Sequence, residues 1–212
     1  MSAAAEIEEF FENFAPAQYE GIQVVICPNF LNINVVAECV DEDAVYLGAQ
    51  DVSQYEGGAY TGEVSAASLD DAHVDFVIVG HSERRTHLFE SDTTINTKIK
   101  RALEHDITPI LCIDSIGQLK PCLDGVDASR VVIAYEPIGA IGTGQAATAD
   151  DIETAHASIR RKVPNSKILY GGSVTDKNAR EIMAIENVDG VLVGGASLDP
   201  KKFESIIYQA RG

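Results

Sequence analysis

The chain has 212 residues, 45% of them hydrophobic and 23% charged, a composition typical of a folded globular domain and not of a disordered or membrane-spanning protein. Its formal net charge of −17 repels phosphate backbones, and lysines and arginines occur singly or in short groups, which disfavours nucleic-acid binding. An anionic substrate would have to be bound locally, by backbone amides and helix N-termini. We expect a single domain over 1–212.

The first segment, Met1 to Phe14, is acidic and lacks the basic start and apolar centre of a signal peptide. No run approaches 18 apolar residues. These features predict a soluble cytoplasmic protein. The four cysteines have neither C-x-x-C pairs nor regular spacing, which favours buried reduced thiols over a disulfide framework or zinc site; they are Cys27, Cys39, Cys112 and Cys122.

Seven short apolar runs alternate with helix-like segments along the chain. Most are continuously apolar, as expected for parallel strands buried on both faces. They cover residues 23–27, 44–49, 75–79, 108–113, 130–135, 167–170 and 190–193. Between them, helix starts are predicted at Thr148, Thr175 and Asp199-Pro200. Repeated strand and helix predict right-handed βαβ units on a parallel sheet.

Glycine and polar residues follow the C-terminal end of strand after strand, as in Gly80-His81-Ser82 and Gly171-Gly172-Ser173. In a closed parallel barrel these ends share one face, where active sites of this architecture lie. The alternative is an open doubly wound sheet. That fold usually carries G-x-G-x-x-G after its first strand, and no such fingerprint follows the first strand here.

Glu136 ends the fifth predicted strand and precedes a loop of small residues, from Pro137 to Gly144. A carboxylate in this position suits a general base beneath a lid that closes and excludes water. The alternative is an ordinary loop in which the glutamate caps the next helix. The pattern by itself leaves both open.

His81 follows the third predicted strand, just before a helix start. A neutral imidazole there would face the site, with the helix dipole lowering its pKa; the alternative is a structural histidine. Gly171-Gly172-Ser173 and Gly194-Gly195 follow the last two strands, where backbone N–H groups of such barrels commonly bind phosphate. Taken singly, each could equally be a tight turn.

Together these sites resemble the triosephosphate isomerase family. The resemblance is carried by Gly80-His81-Ser82-Glu83-Arg84-Arg85, by Ala134-Tyr135-Glu136-Pro137 with Ala140-Ile141-Gly142-Thr143-Gly144, by Tyr170-Gly171-Gly172-Ser173-Val174, and by Val193-Gly194-Gly195-Ala196-Ser197-Leu198. It runs from about Ala3 to the end of the chain. It implies an α/β fold of the (β/α)8 TIM-barrel type.

The resemblance also implies triose-phosphate isomerase activity, with roles taken from the family itself. Glu136 would be the base that moves a proton between the two carbons of dihydroxyacetone phosphate and glyceraldehyde 3-phosphate. His81 would be the neutral electrophile that polarises the carbonyl, with Glu83 supporting it from behind.

The remaining implied roles concern phosphate binding and assembly. Main-chain amides would hold the phosphate at Gly142, Ser173, Gly194 and Gly195. The string Ala59-Tyr60-Thr61-Gly62-Glu63 resembles the family's dimer loop, and Thr61 would reach into a partner subunit of a homodimer. No metal or organic cofactor is implied.

The sequence departs from the family at its start. The family opens with a strand ending in an Asn-x-Lys motif, whose lysine neutralises the substrate and the developing oxyanion, whereas these residues begin at what resembles the following helix, Ala3 to Phe14. We therefore expect neither that strand nor that lysine in the chain. Loss of one oxyanion-stabilising donor costs about 2.7 to 4 kcal/mol, and seven strands leave two exposed parallel edges.

Other departures lie in the connections. The stretch Asp114 to Ser129 is short for the link between the fourth and fifth strands, and Asp114-Ser115 resembles a seam where residues are missing. Gly139 stands where the lid hinge usually has a tryptophan, and Phe89 where a glycine usually precedes Glu90. Three hypotheses follow: a working isomerase of which these residues omit stretches, an inactive phosphate-binding barrel of the same family, or a different phosphate-handling barrel such as another aldose-ketose isomerase.

Overall fold

The computed structural model describes residues 4–14, 21–40, 44–137, 139 and 146–210. The strands are β1 Val24–Ile26, β2 Val45–Ala49, β3 Phe76–Val79, β4 Thr108–Ile113, β5 Val132–Tyr135, β6 Ile168–Tyr170 and β7 Gly190–Val191. The helices are α1 Ala4–Asn13, α2 Ile33–Cys39, α3 Ala66–Asp71, α4 Ser82–His87, α5 Asp92–Glu104, α6 Leu119–Cys122, α7 Ala149–Lys162, α8 Ala179–Met183 and α9 Pro200–Gln209. Within these ranges, no helix has the length and apolarity needed to cross a bilayer.

All seven strands lie within their predicted ranges and form one parallel sheet in chain order, from β1 to β7. Val24 of β1 lies opposite Val45 of β2, and Tyr170 of β6 lies opposite Val191 of β7. A doubly wound sheet reverses its strand order at a switch point, whereas this order never reverses. The sheet is therefore of the TIM-barrel type. In the described part of the chain, no strand pairs with the outer side of β1 or β7, as a sheet of seven strands predicts.

Side chains along each strand alternate between the two faces of the curled sheet. Val77 and Val79 pack in the large cluster shared with the helices, whereas Phe76 belongs to a smaller cluster on the inner face. Ala134 of β5 also belongs to that inner cluster. Because strand side chains repeat every two residues, Glu136 continues on the inner face at the C-terminal end of β5.

Two of the three predicted helix starts are confirmed. The side chain of Thr148 caps α7, and that of Asp199 caps α9. The prediction of a helix start at Thr175 is wrong. The side-chain oxygen of Asn178 accepts a hydrogen bond from the Thr175 amide at 2.8 Å and closes a turn, so that α8 begins only at Ala179.

The connection from β4 to β5 is compact, with a 3₁₀ turn at Ile116–Gln118 followed by the four-residue helix α6. The amides of Asp114 and Ser115 both donate to Oε1 of Gln118, at 3.0 and 3.4 Å. These are the contacts of consecutive residues in one capped turn. They give no support to a seam at this position.

Phe89 lies in the link between α4 and α5 with a φ of +55°, and its side chain is 84% exposed. This is the left-handed region, which bulky residues rarely adopt and glycine adopts without steric cost. The departure noted in the sequence therefore falls where the backbone conformation suits glycine. Phe89 keeps the conformation at a cost of about 1–2 kcal/mol.

The inner face is tightly packed between β1 and β2. A Cβ atom added at Gly48 would lie 2.4 Å from Sγ of Cys27 and 3.1 Å from Cγ1 of Val25. Burial raises the pKa of the Cys27 thiol to about 12, so the group is a neutral packing element. Gly48 is needed here for space.

We predict that Gly48→Ala lowers the free energy of unfolding by about 1–3 kcal/mol, because the added methyl group overlaps the sulfur of Cys27. Cys27→Ala removes that sulfur, so the double variant should be more stable than the sum of the two single losses predicts. Urea unfolding of the parent, the two single variants and the double variant measures the coupling between positions 48 and 27. Strictly additive losses would show that Cys27 is not the obstacle.

Candidate active site

Two side chains from separate strands meet at the C-terminal end of the sheet. Nε2 of His81, which follows β3, lies 3.0 Å from Oε1 of Glu136, which follows β5. The backbone N–H of Ser82 donates to Oε2 of the same carboxylate at 3.1 Å. Glu136 is only 3% exposed, so both of its oxygens are held by donors inside the protein.

His81 is the N-cap of α4, and this position selects its tautomer. Its Nδ1 accepts a hydrogen bond from the backbone N–H of Glu83 at 3.4 Å. A neutral imidazole bound in this way carries its proton on Nε2 and donates it toward Glu136. The carboxylate of Glu83 lies 3.6 Å from Nδ1 with a largely exposed side chain, so Glu83 contacts His81 mainly through its main chain.

The charge of Glu136 dominates the titration of His81. The hydrogen bond to Glu136 raises the pKa of His81 above its ordinary value, and this effect outweighs the burial that lowers it. The prediction of a lowered pKa is therefore wrong for the protein without ligand. The Glu83 amide that donates to Nδ1 and the helix N-terminus both disfavour the imidazolium, but the adjacent carboxylate of Glu136 outweighs them.

Two further groups enclose the carboxylate of Glu136. A Cβ atom added at Gly171 would lie 3.0 Å from Cγ of Glu136, so glycine leaves room for the Glu136 side chain beside the end of β6. The thiol of Cys112 on β4 is fully buried on the same inner face. Burial, with the charge of Glu136, raises the pKa of that thiol well above its ordinary value, so the group beside the carboxylate is neutral.

The predicted phosphate loops follow β6 and β7, next to this cluster. Ser173 has a φ of +49°, and its carbonyl accepts from Nδ2 of Asn178 at 3.1 Å. Gly194 and Gly195 are exposed, and a Cβ atom at either would meet nothing within 4 Å. Gly142 lies outside the described residues, as does most of the predicted lid.

The geometry agrees with what sequence comparison finds. The model of the triosephosphate isomerase family matches residues 1–210. The chain belongs to the triosephosphate isomerase family. It is 41% identical to the triosephosphate isomerase of Nostoc punctiforme over 222 residues, covering 96% of this chain and 91% of that protein.

Two further relatives with the name triosephosphate isomerase support the assignment. That of Dehalococcoides mccartyi strain BAV1 is 42% identical over 214 residues, covering 90% of this chain and 84% of its own length. That of Cutibacterium acnes is 41% identical over 242 residues, covering 99% of this chain and 93% of its own length. The alignment with the Cutibacterium acnes protein is longer than this chain of 212 residues. That protein therefore contains residues within the matched region that this chain lacks.

The contact between His81 and Glu136 argues against the third hypothesis, a different phosphate-handling barrel. That hypothesis requires the two side chains to point apart, whereas Nε2 of His81 lies 3.0 Å from Oε1 of Glu136. Gly171 is the first residue of the predicted phosphate loop after β6. A Cβ atom added there would lie 3.0 Å from Cγ of Glu136, so this loop begins beside the carboxylate. The carboxylate, the imidazole and that loop therefore share one face of the sheet.

Sequence reasoning missed three groups of the site. It did not single out the Ser82 amide, although Ser82 lies inside the string that carries the family resemblance. Cys112 could have been found from strand alternation, since it lies on the inner face one residue before the end of β4. The hydroxyl of Tyr170 accepts from the amide of Ala147 at 3.0 Å and links β6 to the residues just before α7.

Thr61 lies in a long exposed loop between β2 and α3. The base of the loop is closed by the amide of Ser53, which donates to the carbonyl of Val64 at 2.8 Å. Near its tip the rings of Tyr55 and Tyr60 stack with centroids 3.6 Å apart. The loop thus holds its shape through its own contacts and projects from the sheet.

We predict that Glu136→Gln lowers the pKa of His81, because the charge that favours the imidazolium is removed. Titration of the imidazole nitrogens by ¹⁵N NMR measures the change. In the parent the folded-state pKa lies above the unfolded value of about 6.5, so the contact stabilises the fold below that pH and its contribution is lost as pH rises through the folded pKa. The variant should therefore lose more stability at about pH 5.5 than at about pH 8. An unchanged His81 pKa would contradict this account.

Proposed function

We propose that this protein interconverts dihydroxyacetone phosphate and glyceraldehyde 3-phosphate. The observation that carries the proposal is the 3.0 Å contact of Nε2 of His81 with Oε1 of Glu136 on the inner face of the sheet. Membership of the triosephosphate isomerase family, and relatives with that name, support it. The alternative is a phosphate-binding barrel without turnover.

The proposed reaction moves one proton between neighbouring carbons. Glu136 takes the proton from C1 of dihydroxyacetone phosphate, and the electrons of the C–H bond form an enediolate. His81 donates a hydrogen bond from Nε2 to the carbonyl oxygen, which gains negative charge in that step. His81 gives its Nε2 proton to the oxygen on C2 and takes the hydroxyl proton from the oxygen on C1, while Glu136 returns its proton to C2, which leaves the aldehyde carbonyl at C1. Nothing is oxidised or reduced overall.

The surroundings of Glu136 suit this chemistry. With 3% exposure the carboxylate is largely shielded from water, which protects an enediolate from side reactions and strengthens each hydrogen bond in the site. The Ser82 amide also holds the carboxylate, so its resting position is defined before the substrate arrives. The base is thus pre-positioned.

Phosphate binding would use main-chain groups. Ser173, Gly194 and Gly195, with Gly142 from the predicted lid, are the proposed amide donors. Amide donors add no formal charge, so they can bind a phosphate locally on a chain whose net charge is −17. The exposed backbone at Gly194 and Gly195 leaves the close approach that an anion needs.

The activity test uses purified protein with dihydroxyacetone phosphate in D2O, followed by NMR. We expect aldehyde product that carries solvent deuterium at C2, because the proton held by Glu136 exchanges before it returns. Glu136→Gln should lower kcat by about 10²- to 10⁴-fold, since a general base is removed. Glu153→Gln, on the exposed side of α7, is the matched control and should leave kcat unchanged. A parent protein that binds inorganic phosphate but gives no turnover would favour the inactive barrel.

We also propose a cytoplasmic homodimer. The projecting loop that holds Thr61 is the proposed contact, because it exposes the stacked pair Tyr55 and Tyr60 while its base is closed. Tyrosines are enriched in protein interfaces, where their rings are buried and their hydroxyls keep hydrogen bonds. A preformed loop also loses little conformational entropy on docking.

The dimer is tested by sedimentation equilibrium. We expect the parent at twice the chain mass of 22.7 kDa, and Thr61→Arg at the mass of one chain, because an arginine at the tip cannot enter a site shaped for threonine. Thr154→Arg makes the same change on the exposed face of α7 and should stay dimeric. A monomeric parent would refute the proposed assembly without bearing on the reaction.

A further inference from the structure

We propose that Arg85 is a positioning residue for the pair His81 and Glu136, acting through the two backbone carbonyls that its guanidinium holds. The inference rests on the proposed function, because it names a residue that sets the geometry of that site. Arg85 touches neither of the two reacting side chains. It lies on the first turn and a half of α4, behind them.

The guanidinium of Arg85 bridges three separate parts of the fold. Its Nε donates to the carbonyl of Gly80 at 2.7 Å, at the end of β3. Its Nη2 donates to the carbonyl of Cys112 at 3.2 Å, in β4. Its Nη1 donates to Oδ1 of Asp92 at 2.6 Å, at the start of α5. A planar fork of fixed donors can satisfy three acceptors at once, which the ammonium group of lysine cannot reproduce in this geometry.

The first of these contacts bears on His81. The carbonyl of Gly80 belongs to the peptide group that joins Gly80 to His81, so holding this oxygen sets the plane of the peptide from which the imidazole projects. Gly80 has a φ of +68°, and a Cβ atom there would lie 3.1 Å from Nη2 of Arg85. The guanidinium therefore packs directly against the turn that carries His81.

The second contact bears on Glu136. Cys112 presents its carbonyl to Arg85 and belongs, with Ala134, to the buried cluster on the inner face. Cys112 also lies opposite Ala134 in the pairing of β4 with β5, and the amide of Glu136 donates to the carbonyl of Ile113 at 2.8 Å. Arg85 thus holds β4, the strand whose Ile113 carbonyl accepts the hydrogen bond from the Glu136 amide.

The neighbouring Arg84 has a different role. It binds Oδ2 of Asp51 at 2.7 Å and Oε1 of Glu90 at 2.8 Å, and both carboxylates also bind the buried Lys98. All of these partners are side chains, and none belongs to a residue bonded to His81. Arg84 therefore fastens α4 to α5 and to the end of β2, whereas Arg85 reaches the peptide groups of the site.

The burial of Arg85 makes the arrangement rigid. Its side chain is 11% exposed, and Asp92 supplies the opposite charge. A displacement of about 1 Å in a reacting group can lower a rate about 10²-fold. Arg85 is placed to prevent such a displacement in two reacting groups at once.

The test compares Arg85→Lys with Arg160→Lys. Arg160 is the matched control, because it also binds two carbonyls, those of Pro164 and Ser166, and one aspartate, Asp189. We expect Arg85→Lys to lower kcat about 10- to 100-fold. The KM and the inhibition constant of inorganic phosphate should each change less than about twofold. Arg160→Lys should keep the parent kcat.

A second readout does not depend on turnover. In Arg85→Lys the contact of His81 with Glu136 should loosen, so the pKa of His81 measured by ¹⁵N NMR should fall toward about 6.5. The groups that set this pKa in the parent are Glu136 and Glu83, and both remain in the variant. An inactive parent would refute the proposed function, while the pKa comparison would still test the role of Arg85.

Asp92→Asn is the second variant in case Arg85→Lys does not fold. It keeps the arginine and removes only the charge that orients it, so the same changes should appear, with a smaller fall in kcat of about threefold or more. The proposal is overturned if the folded variants keep kcat within threefold of the parent and the His81 pKa unchanged. It is equally overturned if Arg160→Lys loses as much activity as Arg85→Lys.

Discussion

The structure of the site depends on one buried carboxylate and the donors that surround it. Glu136 is almost fully enclosed, and burying a carboxylate without hydrogen bonds is prohibitively costly. His81 and the Ser82 amide meet that requirement from the end of β3 and the start of α4. Gly171 completes the enclosure by leaving room for Cγ of Glu136. The same contacts that make the carboxylate tolerable also define where a base would act.

The architecture supplies these donors through register and alternation. In a parallel sheet of unbroken order, the C-terminal ends of neighbouring strands meet on one edge, and every second residue faces inward. Glu136 shares the inner face with Ala134 and Cys112 for this reason. Arg85 lies one layer behind, where it binds the main chain of β3 and β4 and not the reacting groups.

Two of the departures from the family lie in the connections. Phe89 occupies a left-handed position in a surface link, and the crossover from β4 to β5 consists of two 3₁₀ turns and one short helix. Neither change alters a residue that touches Glu136. Connections tolerate such changes because they bury little backbone. The inner positions at the ends of β4, β5 and β6 are packed against or hydrogen-bonded to their neighbours, so a change there would disturb other residues.

Local pattern was sufficient for the strands and most of the predicted helix starts. Continuous apolar runs place all seven strands, and the caps at Thr148 and Asp199 follow from side chains that bond to their own helix. The start at Thr175 was wrong because a competing local turn, closed by Asn178, has the same residue preferences. Glu136 and His81 were candidates because each follows the end of a predicted strand, and the family resemblance then gave them their roles. Their contact, the raised pKa of His81 and the reach of Arg85 could only be known from the folded chain, because they join residues far apart in sequence across distances that depend on how the sheet curls.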